Sequence, residues 1–178
     1  MLLKSEDESK IDDLKNGVSI LVKGELKYDD WEKENIFRPD GIAIVQKKKL
    51  KDNAPEKRVE LHLHTNMSQM DALTPAGELI KRAADWGHKA IAITDHGVMY
   101  GAVAFYRACR ENNIKPIIGC EVYVARKSRH GKSADGDNPT DHLVLLCKNE
   151  TGYKNLIAMV SRGFTEGFYS KPRVDMEL

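Results

Sequence analysis

Two histidines separated by a single residue, His62 and His64, are the first side chains whose spacing could do chemistry. The stretch around them is typical of a short strand that ends in a loop, and side chains on a strand alternate between its faces. Both imidazoles would therefore lie on one face, with Leu61 and Leu63 in apolar packing on the other. Asp71 follows in the loop, and imidazole and carboxylate groups are common metal ligands. By itself the pair does not separate a metal site from two ordinary histidines.

More histidines and carboxylates accompany the later predicted strands. They are Asp95 and His96 after strand 89–94, Glu121 late in strand 115–124, and Asp141 and His142 at the start of strand 142–147. Because the carboxyl ends of parallel strands meet at one rim of a sheet, we expect most of these groups to lie together. His142 does not fit, since the start of a parallel strand lies at the opposite rim. Such a cluster would suit two or three divalent ions, Zn²⁺ or Mn²⁺, which activate water for displacement at phosphorus.

Alternating strands and helices are predicted to position these groups. Strands are expected at 59–64, 89–94, 115–124 and 142–147, and helices from Thr74 to Gly87, at 100–112 and from Thr151. Thr74 and Thr151 are expected to cap their helices and Gly87 to end the first one. Buried positions of the second helix are expected at Val103, Phe105, Tyr106 and Cys109. The tail, 164–178, carries no strand signal. Apolar strands in this order favour an α/β fold with a parallel sheet, either half of a β/α barrel or a small open sheet.

The chain before this region has a different character. Residues 1–16 are charge-rich and are expected to be a flexible lead-in, and 17–55 a small β module with strands near 17–28 and 41–46. The segment 52–56 is the expected linker, so that 56–178 forms the main domain. Three consecutive lysines, Lys47, Lys48 and Lys49, are either a solvated loop or a contact to nucleic acid phosphates.

Composition excludes several classes of protein. The 178 residues carry a net charge of +1 and 41% hydrophobic residues, as in an ordinary globular protein. No apolar run would cross a bilayer and no signal-peptide pattern is present, which favours a cytoplasmic protein. The cysteines Cys109, Cys120 and Cys147 form no disulfide or zinc pattern and are expected to be free thiols. His88 and His130 are expected to lie outside any metal site. Nucleotide-binding and serine-hydrolase motifs are absent.

The motifs of the candidate site resemble those of the PHP (polymerase and histidinol phosphatase) family. They are His62-Leu63-His64, Asp71, Thr94-Asp95-His96-Gly97 and Gly119-Cys120-Glu121. The resemblance implies a distorted seven-stranded β/α barrel, of which this chain would hold just over half. It implies up to three divalent ions, Zn²⁺ or Mn²⁺, with Asp95 orienting a ligand. The implied ligands are His62, His64, Asp71, His96, Glu121 and His142.

The chain is similar in particular to the N-terminal region of bacterial DNA polymerase III alpha subunits. The similarity is to the PolC type up to about residue 98 and to the DnaE type after it, with 17–51 similar to the end of an OB-fold module. It implies a fragment of a Mg²⁺-dependent replicative polymerase that works on DNA with other replisome subunits, and a PHP site of the 3′–5′ exonuclease type. The later PHP ligands and the polymerase carboxylates would lie beyond Leu178. A PHP phosphoesterase for small phosphate esters and a non-catalytic structural module are the alternatives.

Overall fold

The computed structural model describes residues 14–46, 50–132 and 138–178. The chain divides into two compact units, and the division falls between Lys51 and Asp52. Residues 1–13 of the expected lead-in lie outside the described residues, as do Lys47, Lys48 and Lys49, the candidate nucleic-acid contact. None of the helices in the described part of the chain combines the length and the apolar character needed to span a membrane.

The first unit is a long antiparallel hairpin of β1, Ser19–Asp29, and β2, Glu34–Val45. The second strand thus begins at Glu34, earlier than the expected residue 41. The connecting turn is stabilised by the Asp29 carboxylate, which accepts hydrogen bonds from the backbone N–H groups of Trp31 and Glu32, at 2.9 and 3.2 Å. The described residues of this unit form a two-stranded ribbon, which does not confirm the OB-like interpretation.

The second unit is a mixed α/β domain whose central strand is long. Its elements are α1 Ala76–Asp85, β3 Ala90–Ile93, α2 Ala102–Glu111, β4 Lys115–Ala125, β5 Thr140–Leu146, α3 Glu150–Thr165, β6 Phe168–Tyr169 and β7 Lys171–Val174. The sheet order is β3-β4-β7-β6, with β5 also paired to β4. The β3 and β7 strands run parallel to β4, which confirms the expected parallel sheet. The expectation was wrong for β5, which runs antiparallel to β4.

The expected strand 59–64 is reduced to a single bridge between Glu60 and Ile91. The segment still follows β3, since the N–H of Thr94 donates to the carbonyl of Leu63 at 2.8 Å. The ladder is broken because the N–H of Leu63 donates to the Thr94 hydroxyl, also at 2.8 Å, instead of to a strand carbonyl. Leu63 packs on the core as expected, but Leu61 is exposed.

Two helix starts differ from the sequence prediction. Helix α1 is preceded by Pro75 in an extended conformation and has no side-chain cap, so the expected Thr74 cap was wrong. Proline suits this position because it has no N–H to satisfy and its φ is fixed. Helix α3 is capped by Asn149 rather than Thr151, and the Asn149 side chain accepts from the N–H of Gly152 at 3.0 Å. The expected end of α1 at Gly87 is observed, with φ +79°.

The core consists of two clusters, one built from residues that precede β4 in the sequence and one from residues within and after β4. The first joins α1, α2 and β3 through Ile80, Ala83, Ile91, Ile93, Phe105, Cys109 and Ile114, and the second joins β4, β7 and α3 through Cys120, Val122, Leu156, Val160 and Val174. In α2 the burial of Phe105 and Cys109 is confirmed, whereas Val103 and Tyr106 are exposed. A surface helix buries one stripe, and positions four apart share it. All three cysteines are free.

The tail forms β6 and β7, which contradicts the expectation that it has no strand. The β7 strand pairs with β4 through Arg173 and Val174, which are both buried. Its sequence signal is weak because it has four residues, includes Pro172, and buries charged groups. Arg173 is satisfied by carbonyls, with Nε donating to Gly167 and Nη2 to Arg129, both at 3.1 Å.

Candidate metal centre

Glu121 is the centre of a histidine cluster at the rim of the sheet. Its side chain comes from β4 and is buried, with the residue 5% exposed. Nε2 of His64 lies 2.8 Å from Oε2, and Nδ1 of His142 lies 2.7 Å from Oε1. Nε2 of His62 also contacts Oε2, and Nδ1 of His96 lies 3.7 Å from Oε1. Four of the six histidines therefore surround one carboxylate.

The backbone around β3 and β4 explains why His96 faces Glu121. The chain leaves β3 at Ile93 but still pairs with β4 at a bridge between His96 and Glu121. The N–H of Glu121 donates to the carbonyl of Asp95 at 3.1 Å, and the N–H of Gly97 donates to the carbonyl of Glu121 at 2.8 Å. Because β3 and β4 are parallel, both side chains arise at the carboxyl side of the sheet, as predicted.

His142 reaches the same rim because β5 is antiparallel. In the β4–β5 register His142 lies opposite Tyr123, two residues after Glu121. The start of an antiparallel strand lies where its neighbour ends, so the expectation that His142 falls at the opposite rim was wrong. Asp141 is not part of the cluster, because its carboxylate accepts hydrogen bonds from Arg126 Nε and Nη2 at 2.9 and 2.8 Å.

The cluster contains two groups of three donors that could hold a metal ion. They are His62, His64 and Glu121, and His96, Glu121 and His142, with the donor atoms of each group within 4.8 Å of one another. Nδ1 of His96 is buried and has no hydrogen-bond partner. A buried polar atom without a partner is costly unless another ligand satisfies it. The residues present therefore fit a bound divalent ion.

The electrostatics of the site keep Glu121 ionised. Burial raises the pKa of Glu121, but contacts from His62, His64 and His142 outweigh burial and hold the pKa at about 2. Burial lowers the pKa of His96, and the nearby His64 lowers it further. An ionised carboxylate beside a histidine whose pKa is lowered favours metal binding, because metals bind the deprotonated forms of both groups.

The two aspartates of the predicted site have different surroundings. Asp71 is half exposed, and its Oδ2 lies 3.4 Å from Nε2 of His96, so it adjoins the cluster without belonging to either group of three. Asp95 is buried and accepts from the Thr65 N–H at 2.6 Å and from the hydroxyls of Thr65 and Ser68 at 2.8 and 2.7 Å. Ser68 Oγ in turn accepts from the His96 N–H at 3.1 Å. Asp95 thus joins the loop after His64 to the loop that carries His96.

Several residues of the site were missed by sequence reasoning. Thr65 and Ser68 are fully buried, and only their position just after the histidine pair could have indicated a role. The Tyr123 ring stacks on His96 with 5.8 Å between centroids and meets His142 edge-on at 4.9 Å. Tyr123 could have been found from strand periodicity, because it lies two residues after Glu121 and hence on the same face. His88 and His130 lie outside the cluster, and His88 Nε2 is 3.5 Å from Asp52.

Among the cavities lined by described residues, one adjoins the cluster. A cavity of about 480 Å³ reaches His96, Asp71 and Tyr123. A larger one, of about 640 Å³, lies where Val103 and Tyr106 of α2 approach Tyr153 of α3, and it contains none of the candidate ligands. The smaller cavity is lined by the candidate ligands His96 and Asp71, so it is the candidate substrate site.

An α/β sheet with histidines and a carboxylate at one rim is typical of a metal-dependent phosphoesterase-type domain. The model of the PHP domain family matches residues 60–178, and the chain belongs to this family. The chain is 46% identical over 121 residues to the DNA polymerase III subunit alpha of Chlamydia pneumoniae and 46% to that of Treponema pallidum, in each case over 67% of this chain and 10% of the relative. It is 44% identical over 124 residues to the PolC-type DNA polymerase III of Clostridium perfringens, over 70% of this chain and 9% of the relative.

These relatives confirm the predicted resemblance to the N-terminal region of polymerase III alpha subunits, including the PolC type. The chain spans about a tenth of the length of the curated relatives that it matches. Among solved structures it is similar to an amidohydrolase from Chromobacterium violaceum, with 25% identity and a TM-score of 0.41, over 60% of this chain and 36% of that one.

Proposed function

We propose that this chain is the PHP-containing part of a bacterial DNA polymerase III alpha subunit and that its cluster is a phosphodiesterase site of the 3′–5′ exonuclease type. The proposal rests on one observation, the buried Glu121 carboxylate that His62, His64 and His142 contact together. In that role the chain would act on DNA, with other replisome subunits, in the cytoplasm, as part of a polymerase that itself uses Mg²⁺.

The proposed ligands are His62, His64, Asp71, His96, Glu121 and His142, holding up to three Zn²⁺ or Mn²⁺ ions. Bound ions would supply Lewis-acid activation of water and neutralise charge at the phosphorus. Glu121, with a pKa of about 2, stays ionised at neutral pH and is shared by both groups of donors. Asp95 would be a positioning residue that keeps His64 and His96 in place through Thr65 and Ser68.

Metal analysis of the purified chain tests the proposal. We expect two or more ions per chain by plasma mass spectrometry, a loss of at least one in His64→Ala, and no change in His88→Ala, a histidine outside the cluster. A chain that takes up no Zn²⁺ or Mn²⁺ would contradict the proposal.

Activity assays separate the kinds of substrate. We expect Mn²⁺- or Zn²⁺-dependent cleavage of single-stranded DNA from its 3′ end and none of a phosphomonoester. Cleavage of the monoester alone would favour a small-molecule phosphoesterase. Bound metal without cleavage of either substrate would favour a structural module of the polymerase.

A further inference from the structure

Lys171 is the one lysine among the described residues that line the cavity beside the histidine cluster. Lys171 and Tyr123 both line this cavity of about 480 Å³, and the Lys171 ammonium lies 4.5 Å from the centroid of the Tyr123 ring. The other side of the contact is fixed, since the Tyr123 ring stacks on His96. In the described part of the chain no carboxylate forms an ion pair with Lys171. The Lys171 ammonium, which has no carboxylate partner among the described residues, thus lies on the Tyr123 ring, and that ring lies between it and the candidate ligand His96.

The tail hairpin holds this lysine in place. Lys171 begins β7 directly after a one-residue turn at Ser170, which has φ +62°, and it pairs with Tyr169 of β6. The next residue, Pro172, packs against the loop after His96, where a Cβ added to Gly97 would lie 2.8 Å from the proline Cγ and 2.9 Å from the Tyr123 ring. The hairpin therefore fits closely against the site and carries Lys171 to the cavity wall.

The same cavity has exposed aromatic surfaces. Tyr100 is 70% exposed and Phe168 is 49% exposed, although both line the cavity. Phe168 stacks on Phe164 with 6.0 Å between centroids. Asp71 is the one acidic side chain among the described lining residues, and it lies against His96. A wall with exposed rings and a cation that has no carboxylate partner among the described residues is suited to a ligand with a phosphate and a flat apolar group.

We propose that this cavity is a nucleotide-binding subsite, in which Lys171 binds a backbone phosphate of a single-stranded DNA substrate and Tyr100 stacks on a base. The inference rests on the proposed phosphodiesterase function and names the part of the substrate that lies next to the cleaved bond. Proteins that bind single strands combine positive charge along the backbone with aromatic platforms for the bases. Lys171 is a positioning residue in this arrangement, because it holds a phosphate other than the one that reacts. The subsite would favour a strand over a small phosphate ester, which has no second phosphate or base to offer.

Binding without hydrolysis tests the subsite. The probe is a fluorescein-labelled oligothymidylate of about eight nucleotides, titrated with the full chain in EDTA and followed by anisotropy. We expect Lys171→Gln to weaken binding about five- to tenfold and to reduce the slope of log affinity against log salt by about 0.7, the contribution of one phosphate contact on a single strand. Tyr100→Ala should weaken binding about tenfold, as loss of one stacked base does.

Matched variants carry the same chemical changes elsewhere. Lys81→Gln removes an exposed lysine of α1, and Tyr106→Ala removes an exposed tyrosine of α2 that lines the other cavity. Both should bind the probe as the wild type does. If Lys171→Gln matches Lys81→Gln in affinity and in salt slope, the subsite is wrong.

The outcome for the subsite is separable from the outcome for the proposed function. Wild-type cleavage of the same oligonucleotide with Mn²⁺, together with unchanged binding by Lys171→Gln, would overturn the subsite and leave the phosphodiesterase in place. Absence of bound metal and of cleavage, together with the expected losses in Lys171→Gln, would overturn the function and leave a nucleic-acid-binding site.

Discussion

At the level of single residues, Glu121 is the side chain that the histidines of the site share. It brings together imidazoles from three separate segments of the chain, at 62–64, 96 and 142. Removal of its charge would leave His62, His64 and His142 close together without the anion that makes this closeness favourable. The same carboxylate belongs to both candidate groups, so one substitution addresses both.

Glu121→Gln is expected to reduce affinity for Zn²⁺ or Mn²⁺ by at least about 100-fold, because loss of partners beyond the ligands already costs 10- to 100-fold. The fold should persist, since the amide oxygen can still accept one hydrogen bond in the same space. Isothermal titration of the metal-free chain measures the affinity, and Glu111→Gln, an exposed change of equal charge, is the control. Equal affinity in the two variants would exclude Glu121 as a shared ligand.

Asp95 has a structural role that can be measured in the absence of metal ions. Asp95→Ala would leave the Thr65 N–H and two hydroxyls buried without their acceptor. We expect a loss of about 3 kcal/mol in the free energy of unfolding by urea, as for buried donors left unsatisfied. Asp85→Ala, at the exposed end of α1, should change it by less than about 0.5 kcal/mol. A small effect of Asp95→Ala would show that the two loops hold together without it.

At the level of elements, strand direction separates what could be predicted from what could not. The sequence predicts His96 and Glu121 at one rim because β3 and β4 are parallel and their carboxyl ends meet there. His62 and His64 reach the same rim because their segment bridges β3 in the parallel direction, between Glu60 and Ile91. The direction of β5 has no local signature, since the alternation of side chains is the same in both directions, and so His142 was misplaced. The structure shows that the four histidines converge on Glu121, whereas metal ligation by these five residues stays a prediction. The β7 strand was missed because four residues are too few to show a period.

Helix α1 provides a test of how its end is built. Gly87 has φ +79°, its N–H donates to the carbonyl of Ala84, and the N–H of His88 donates to that of Ala83, both at 2.9 Å. This is a Schellman motif, which places its glycine in the left-handed region. An added Cβ would have room there, with the nearest atom at 3.9 Å. Gly87→Ala is therefore expected to cost about 1 kcal/mol from backbone conformation alone.

The matched substitution within the same helix is Gly77→Ala. Gly77 lies in the first turn of α1, and an added Cβ would meet nothing within 4 Å. We expect it to stabilise the chain by about 0.5 kcal/mol, because alanine favours the helix. Thermal unfolding of both variants measures the contrast. Equal effects of the two would mean that the Schellman end does not persist in solution.

At the level of the domain, a buried arginine ties the tail to the rest of the sheet. Arg129 donates to Asp175 from Nη1 at 2.8 Å and also pairs with Glu166 at the end of α3 and with Glu177. Hydrogen bonds from Arg162 and Arg129 hold the pKa of Glu166 at about 2, below its usual 4.5. Burial raises the pKa of Asp175, but hydrogen bonds from Arg129 outweigh burial and lower it. The network joins three distant segments, which local sequence patterns do not show.

Arg129→Gln is expected to lower the Tm by roughly 10 °C at pH 7, because it leaves a buried carboxylate unpaired. Carboxylates with a lowered pKa in the folded chain stabilise it above their unfolded pKa and lose this contribution as the pH falls. The difference from wild type should therefore shrink as the pH falls from about 4.5 towards 2. Calorimetry across this range measures it.

The control for this network is Arg126→Gln. Arg126 forms an equally well-aligned pair with Asp141, but both side chains are exposed. Exposed pairs contribute little, so its Tm should stay within a few degrees of wild type. Similar losses in the Arg126 and Arg129 variants would contradict a special role for the buried network.

The antiparallel pairing that brings His142 to Glu121 also makes the site sensitive to strand register. A slip of one residue between β4 and β5 would turn His142 to the opposite face of the sheet and bring the salt-bridged Asp141 or the apolar Leu143 opposite Tyr123. An ion held by His96, Glu121 and His142 would bind the native register and not the slipped one. Its binding free energy would then add to the stability of the native β4–β5 pairing. The fraction of chains in which β5 pairs in the correct register would therefore rise with the concentration of metal ions.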